Sequence, residues 1–334
     1  MDFRQDPQLK NADRRAVPTI CVVGSLNMDV VVRCPRLPLI GQTVLGTSYK
    51  THPGGKGANQ AVAARRLGAK VSMVGRVGDD AHGPRLVQAL ATEGVDVTRV
   101  GQSPEMASGL AFITVADGGD NTAVVSSGAN AVLTEADVNN AAEHIANADV
   151  LLLQLEVPLA TNVAAARIAR EHGRLVLLNA APARSLPRDL LDNVDVLVVN
   201  RTEAATITQQ EPGTDPGRLA LRACEIGPPT VVLTLGAQGA ILASRGRIRR
   251  VGTIQVNALD SVGAGDAFVG AIAVFWAETS ELLRTRTTDE VRMVEALVAR
   301  ACVAGALATT KQGALASMPS RAEVDAAIAN AVLN

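Results

Sequence analysis

Residues 257–275 read NALDSVGAGDAFVGAIAVF: two aspartates, Asp260 and Asp266, separated by a turn of small residues and followed by an apolar helical run. Gly263-Ala264-Gly265 at the start of that run presents backbone N–H groups that the helix itself does not use. With the helix dipole they favour an anion, and side chains this small let it approach the backbone closely. A carboxylate at Asp266 would repel a phosphate that was merely bound. It makes sense where it accepts the proton of a hydroxyl attacking phosphorus. A capping aspartate fits the same stretch equally well, so this motif alone leaves both readings open. Gly270 comes two positions late for G-x-G-x-x-G, and G-x-x-x-x-G-K-[ST] is absent, which argues against a nicotinamide oxidoreductase and a P-loop.

A second glycine cluster tips the balance. HPGGKGANQAVAARRLG places Gly54, Gly55, Lys56 and Gly57 ahead of a helix with Asn59 on its first turn. An earlier strand, TICVVGSLNMDVVV, is read as ending in Asn27 and Asp29. Carboxylate, amide and ammonium groups beside glycine-rich backbone suit a polyol, because each can bond neighbouring hydroxyls.

The elements that must position these groups follow a regular pattern. From about residue 133 onward, apolar strands alternate with helical segments. Thr134 and Asp137 form a capping-box pattern opening a helix towards Ala146. DVLLLQLE reads as a buried strand ending at Glu156; Pro158 starts the next helix and Gly173 ends it. RLVLLNA follows, then VDVLVVN ending at Asn200 and TVVLTLG ending at Thr234 and Gly236. Such alternation predicts an α/β fold: a mainly parallel sheet flanked by helices on both faces. The chemistry then belongs at the carboxyl ends of the strands, where Glu156, Asn200, Thr234 and the turn before Asp266 all fall. DVVVRCPRLPLIGQTVLGTSYK and SGLAFITVADGGDNTAVVSS break the alternation, with DGGDN as a hairpin loop. They predict a small β-sheet lid, with strands from about 30–52 and 106–129.

Composition narrows the function classes. At 334 residues with 47% hydrophobic content, the chain buries a sizeable core, and a net charge of −1 gives no electrostatic reason for nucleic acid or anionic membrane. Cys21, Cys34, Cys224 and Cys302 lack C-x-x-C spacing and read as reduced thiols of a cytoplasmic protein. His52, His82, His144 and His172 lack metal-ligand spacing. No apolar run approaches the ~18 residues of a membrane span. Residues 1–18 read as a flexible polar tail and 19–334 as one domain.

In order along the chain, GSLNMDVVV, GGKGANQAVAA, QLEVP, LNAAPA, NRTEA, TLGAQGA and DSVGAGDAF resemble the PfkB carbohydrate kinase family, with GGKGANQA pointing to its ribokinase branch. The resemblance runs from about residue 19 to 325 and covers poorly only the tail and TSELLRTRTTDE. It implies a Rossmann-type three-layer fold with a lid, and ATP-dependent phosphorylation of D-ribose at the 5-hydroxyl. On this resemblance Asp266 is the base, and the amides around Gly263, Ala264 and Gly265 hold the γ-phosphoryl group. Asn27, Asp29, Gly55, Lys56, Asn59 and Glu156 match the sugar-gripping positions. Asn200 and Glu203 match an N-x-x-E pair that helps place Mg²⁺ and phosphates; Thr234, Gly236 and Gly239 match the nucleotide-side loop. Asp260, Val262, Ala308, Lys311, Gly313 and Ser317 match a monovalent cation site, usually K⁺. Ser261 departs from the family's common threonine but keeps the hydroxyl.

The expected partners are a sugar and ATP, without nucleic acid or membrane. An unpaired, partly apolar lid sheet predicts a homodimer that pairs the lids. The alternatives are a kinase of a nucleoside such as adenosine, a kinase of another sugar or a sugar phosphate, or a non-catalytic sugar-binding relative. Against a nucleoside, the first 130 residues offer only Phe3, Tyr49 and Phe112 as aromatic platforms. Against a non-catalytic protein, both Asp266 and the glycine turn are retained.

Overall fold

Alternating side chains of β1 (Thr19–Val23) serve two different cores, one on each face of a sheet. Ile20 and Val22 pack into one core, while Cys21 and Val23 pack into the other. The same division repeats along β8 (Val150–Leu153), β9 (Leu175–Asn179), β10 (Val196–Asn200) and β11 (Thr230–Thr234). Strands apolar on both faces must be covered on both faces, which is why the middle layer lies between helices. The computed structural model of the chain describes residues 17–211, 213–284 and 290–331. Most of the expected tail, with Phe3, and residues 285–289 of TSELLRTRTTDE lie outside the described residues.

The remaining strands are β2 (Asn27–Cys34), β3 (Ser48–Gly54), β4 (Lys70–Gly78), β5 (Asp96–Ser103), β6 (Gly109–Ala116), β7 (Asn121–Ser126), β12 (Ala240–Ser244) and β13 (Arg247–Val251). The large sheet has nine strands in the order β13-β12-β11-β10-β9-β8-β1-β4-β5. It is parallel from β5 to β11 and ends in the antiparallel strands β12 and β13. Exposed Arg247, Arg249 and Arg250 on β13 put charge on that edge, which discourages pairing with another chain.

One face carries α1 (Lys56–Arg66), α2 (Gly83–Thr92), α9 (Ala264–Arg284) and α10 (Glu290–Ala308), with α11 (Arg321–Ala331) packed on α10. The other carries α3 (Glu135–Asn140), α4 (Ala142–Asn147), α5 (Leu159–Glu171), α6 (Arg188–Leu191), α7 (Arg201–Ile207) and α8 (Pro216–Glu225). Among the described residues no helix is long and apolar enough to cross a membrane, and all four cysteines are free.

The small sheet has four strands in the order β3-β2-β6-β7, with β2 and β6 parallel and the other pairs antiparallel. The DGGDN turn joins β6 to β7, with Gly119 at φ 90°.

Several boundaries differ from the sequence reading. TICVVGSLNMDVVV is two strands, one in each sheet. A Cβ on Gly24 would lie 2.0 Å from Gln154 Oε1 and 2.9 Å from the Gly57 Cα, so the chain turns out of the large sheet where only glycine fits. DVLLLQLE leaves the sheet at Leu153, which frees Gln154 to Glu156 as a loop. The Thr134–Asp137 capping box is present, but its helix breaks at Ala141 into α3 and α4. Strand–helix alternation also begins earlier than residue 133, with β4, α2 and β5.

Candidate active site

Strand order decides where the crevice opens. After β1 the chain fills positions on one side with β4 and β5, then returns to place β8 against the other side of β1. Loops leaving the carboxyl ends of β1 and β8 therefore diverge, which opens a cleft between them. Across it, Ser25 Oγ donates to Glu156 Oε2 at 2.5 Å. The same carboxylate oxygen accepts the backbone N–H of Lys56 at 3.1 Å and Asn27 Nδ2 at 3.4 Å. Glu156 thus sits at the N-terminus of α1, where the helix dipole favours negative charge. Gly55, the residue before α1, has φ 92°, and a Cβ there would lie 2.7 Å from the Asn27 backbone nitrogen. Both conditions require glycine.

α1 and α9 cross closely because Gly270 faces α1: a Cβ on it would come 2.6 Å from the Ala63 Cβ and 2.9 Å from the Gln60 carbonyl. That approach brings two neighbouring amides of α1 onto the carboxylate of Asp266, in the first turn of α9. Asn59 Nδ2 donates to Asp266 Oδ2 and Gln60 Nε2 to Oδ1, both at 2.9 Å. Asp266 is therefore held by side chains of another helix, which the capping reading did not require. Just ahead of α9, Gly263 has φ 80°. The backbone amides of Gly265 and Asp266 have no hydrogen-bond acceptor among the described residues, and a Cβ on Gly265 would meet nothing within 4 Å. Unspent donors beside open space at a helix N-terminus make an anion site.

The space in front of them is a cleft of about 240 Å³ whose lining includes Lys56, Asn200, Glu203, Thr234, Gly263, Gly265 and Asp266. Asn200 and Glu203 form a reciprocal capping box on α7. Asn200 Oδ1 accepts the Glu203 N–H and Glu203 Oε2 accepts the Asn200 N–H, both at 2.8 Å. Gly236 and Gly239 do not line this cleft; they shape the turn after β11, closed by Leu235 N–H to the Gly239 carbonyl at 2.8 Å.

Charge in the site is unbalanced. Burial raises the Asp266 carboxyl, against the opposing pull of Lys56 and the two amide donors. Burial also pushes Asp29 up to about 7, with Glu156 and Asp266 adding to the rise and Lys56 opposing it. Burial raises Glu203 as well, against the Asn200 N–H and Lys56. Burial alone would lower Lys56, but Asp266, Glu156, Glu203 and Asp29 together hold it above its ordinary value. One ammonium among four carboxyl groups makes a cleft that favours further cations.

Residues 17–321 match the model of the pfkB family carbohydrate kinases. This chain belongs to the pfkB family of carbohydrate kinases. It is 39% identical over 310 residues to a ribokinase of Haemophilus influenzae, covering 91% of this chain and 96% of that one. A deoxyribokinase of Salmonella typhi is 35% identical over 304 residues, covering 90% and 95%. The fold is similar to that of an Arabidopsis thaliana ribokinase solved with ribose and ATP, at a TM-score of 0.81 and 30% identity, over 93% of this chain and 98% of that one.

In this pfkB family kinase the loop ahead of the anion site is tied to the segment after α10. Asp260 Oδ1 accepts the Val262 N–H and Oδ2 the Gly313 N–H, each at 3.0 Å. The Ala308 carbonyl accepts the Lys311 N–H at 3.3 Å. The side chain of Lys311 turns away to pair with Glu323 at 2.6 Å. Ser317 is buried, with its hydroxyl on the Ala314 carbonyl at 2.8 Å.

Sequence reasoning assigned no role to five buried polar residues around the site: Ser25, Gln60, Asn130, Gln154 and Asn179. Asn130 donates to Asn27 Oδ1 at 2.7 Å and brackets the Leu26 backbone, so both ends of the Asn27 amide are engaged. Gln60, Gln154 and Asn179 stand inside GGKGANQ, QLEVP and LNAAPA. Gln154 and Asn179 each interrupt an apolar run, which was the available signal for those two.

Proposed function

We propose that this kinase phosphorylates D-ribose at the 5-hydroxyl, using ATP. The observation that carries the reading is a fixed carboxylate, Asp266, beside the unspent amides of α9, with Asp29 reaching the same site from the small sheet. The ribokinase relatives support ribose as the sugar. Asp266 takes the proton of the 5-hydroxyl as its oxygen bonds to the γ-phosphorus and the bond to the β-phosphate oxygen breaks, releasing ADP. Such transfers pass through a loose transition state, so positioning and charge neutralisation outweigh base strength. The amides of Gly263, Gly265 and Asp266 stabilise the charge on the transferred group, the Ala264 N–H being taken by the Ser261 carbonyl at 3.3 Å. Asn27, Asp29, Gly55, Lys56, Asn59 and Glu156 form the sugar side; Thr234 lines the nucleotide side, with Gly236 and Gly239 shaping the turn beside it. Residues 19–334 act as one kinase domain.

The donor set also fits cations. The excess of carboxyl groups suits Mg²⁺, and among the described residues no cluster of three His, Cys, Asp or Glu could hold a metal. Mg²⁺ would then rest mainly on phosphate oxygens, with Asn200 and Glu203 helping to place it. Bound there, it would neutralise charge on the phosphates. Asp260, with carbonyl and hydroxyl oxygens of Val262, Ala308, Lys311, Gly313 and Ser317, fits K⁺, since hard cations take oxygen donors. Activity is expected to rise when K⁺ replaces Na⁺ at constant ionic strength; indifference to the exchange removes this site from the mechanism.

Aromatic placement argues against a nucleoside. Cross-strand pairing puts Phe112 beside Val30, and Tyr49 beside Val32. Both therefore occupy the face of the small sheet opposite Asp29 and are exposed there. With Val124 they leave apolar surface on that face, which supports a homodimer through the lid. Light scattering at micromolar concentration is expected to give the mass of two chains; a monomer alone rejects the dimer. The free thiols support a cytoplasmic location.

The deciding assay couples ADP release to ribose, 2-deoxyribose, fructose, fructose 6-phosphate and adenosine, with Mg²⁺ and K⁺ present. Ribose is expected to give the highest kcat/KM, with 2-deoxyribose weaker and adenosine poor. A site built to bond a hydroxyl discriminates against a sugar lacking it. The deoxyribokinase relative makes 2-deoxyribose the rival to exclude. A higher kcat/KM on any other compound overturns ribose as substrate, and no turnover on any of them revives the non-catalytic alternative.

A further inference from the structure

We infer that Gln60 is the positioning residue for Asp266, and that Gln154 fixes which way the Gln60 amide faces. Both side chains are fully buried. Gln60 Nε2 donates to Asp266 Oδ1 at 2.9 Å and to Asn179 Oδ1 at 3.0 Å, so both of its hydrogens are spent. Gln60 Oε1 accepts from Gln154 Nε2 at 2.7 Å. The backbone of Gln154 is anchored in turn, its carbonyl accepting Asn162 Nδ2 at 2.6 Å.

The polarity of this chain follows from the carboxylate. An ionised carboxylate only accepts hydrogen bonds, so the nitrogen end of Gln60 must face Asp266. Its oxygen then needs a donor from the other side, which sets the Gln154 amide the opposite way round. Gln154 Oε1 is left without a partner among the described residues, against the space that Gly24 keeps open. Two buried glutamines, one with an orphaned acceptor, are costly to keep away from water. Apolar residues of similar volume would remove the orphaned acceptor but leave Asp266 Oδ1 and Asn179 Oδ1 without the Gln60 donor. What they could not do is hold Asp266 Oδ1 in one direction while Asn59 holds Oδ2.

Donation to the ionised form also favours ionisation. The other charged groups facing Asp266 are Lys56 from α1, Asp29 from β2, Glu156 from the loop after β8 and Glu203 from α7. None of them changes when Gln60 is replaced. Loss of the Gln60 donor must then raise the pH at which Asp266 becomes ionised. Simple packing of α1 against the sheet would produce no such shift.

The inference rests on Asp266 being the proton acceptor, so wild type is assayed on ribose in parallel. With Gln60→Leu, kcat is expected to fall roughly 10- to 10²-fold, below the full contribution of a base. KM for ribose and ATP should stay within about two-fold, and the acid limb of the kcat profile, read at saturating ribose so that protonation of Asp29 in the free enzyme does not enter, should move to higher pH. With Gln154→Met, which frees the Gln60 amide to turn, a few-fold loss and a limb shift in the same direction are expected. Wild type without turnover on ribose overturns the proposed function, and the inference with it. Active wild type beside a folded Gln60→Leu protein with unchanged kcat and acid limb overturns the inference alone. If Gln60→Leu fails to fold by circular dichroism, Gln154→Met decides, and an unchanged profile there overturns it. A defect in Gln60→Leu with none in Gln154→Met overturns the orienting role of Gln154.

Discussion

Asp266→Asn is expected to lower kcat by roughly 10²–10⁴, the contribution of a positioned base, while the protein still folds and binds both substrates. The substitution keeps size and shape but removes the basic oxygen. The pocket can absorb the new amide. Asn59 Oδ1 is buried without a partner, so a flip of the Asn59 amide offers it as acceptor to the new N–H₂ group. The Gln60 donor keeps an oxygen to bond. Stability by thermal melting should therefore change little, and the loss should appear in single-turnover rates as well as in kcat. Turnover near that of wild type would sink the assignment of Asp266 as base.

Asp29→Ala is expected to raise KM for ribose by about 10²-fold or more and leave KM for ATP unchanged. A hydrogen bond to a charged group is worth about 1.5–3 kcal/mol, and a carboxylate gripping two adjacent hydroxyls makes two. Asp29 is buried and pressed against β3, where a Cβ on Gly54 would lie 2.2 Å from Asp29 Oδ2. Its carboxyl, raised to about 7 by burial and then by Glu156 and Asp266 against Lys56, gains protons as pH falls through that value. The protonated form accepts less well from hydroxyls. KM for ribose in wild type should therefore rise below about pH 7, and the variant should lose that slope. A change of KM under about three-fold in the variant, judged against these bond strengths, would show that Asp29 does not grip the sugar.

Wherever the cause is local, these elements can be read from the chain alone. Gly263 and the small residues after it announce the start of α9, because a positive φ and a close approach can be met only by glycine. Thr134 with Asp137 announces a helix start, because both partners of the capping box lie within one turn. Asn200 with Glu203 is the same device. Family resemblance assigned that pair to Mg²⁺ and phosphates, whereas the structure shows it also building the start of α7. The alternation of apolar strands with helices from residue 133 onward implied helices on both faces of a parallel sheet, and β8 to β11 bear this out.

What the chain could not disclose depends on residues far apart in sequence. The break between β1 and β2 falls at Gly24 because Gln154 and Gly57 crowd it there; hydrophobic periodicity counts side chains, not neighbours, and read one strand. Ser25 and Glu156 meet because β8 docks beside β1 after β4 and β5 have filled the other side. The two amides on Asp266 come from a helix about 200 residues earlier in the chain, at a crossing that Gly270 allows. By itself the sequence determined the chemical groups and the helix ends that present them, since short-range sterics and hydrogen bonding act within a few residues. Tertiary structure alone decided which groups share a site and which way each amide faces, since both depend on strand order and helix crossing.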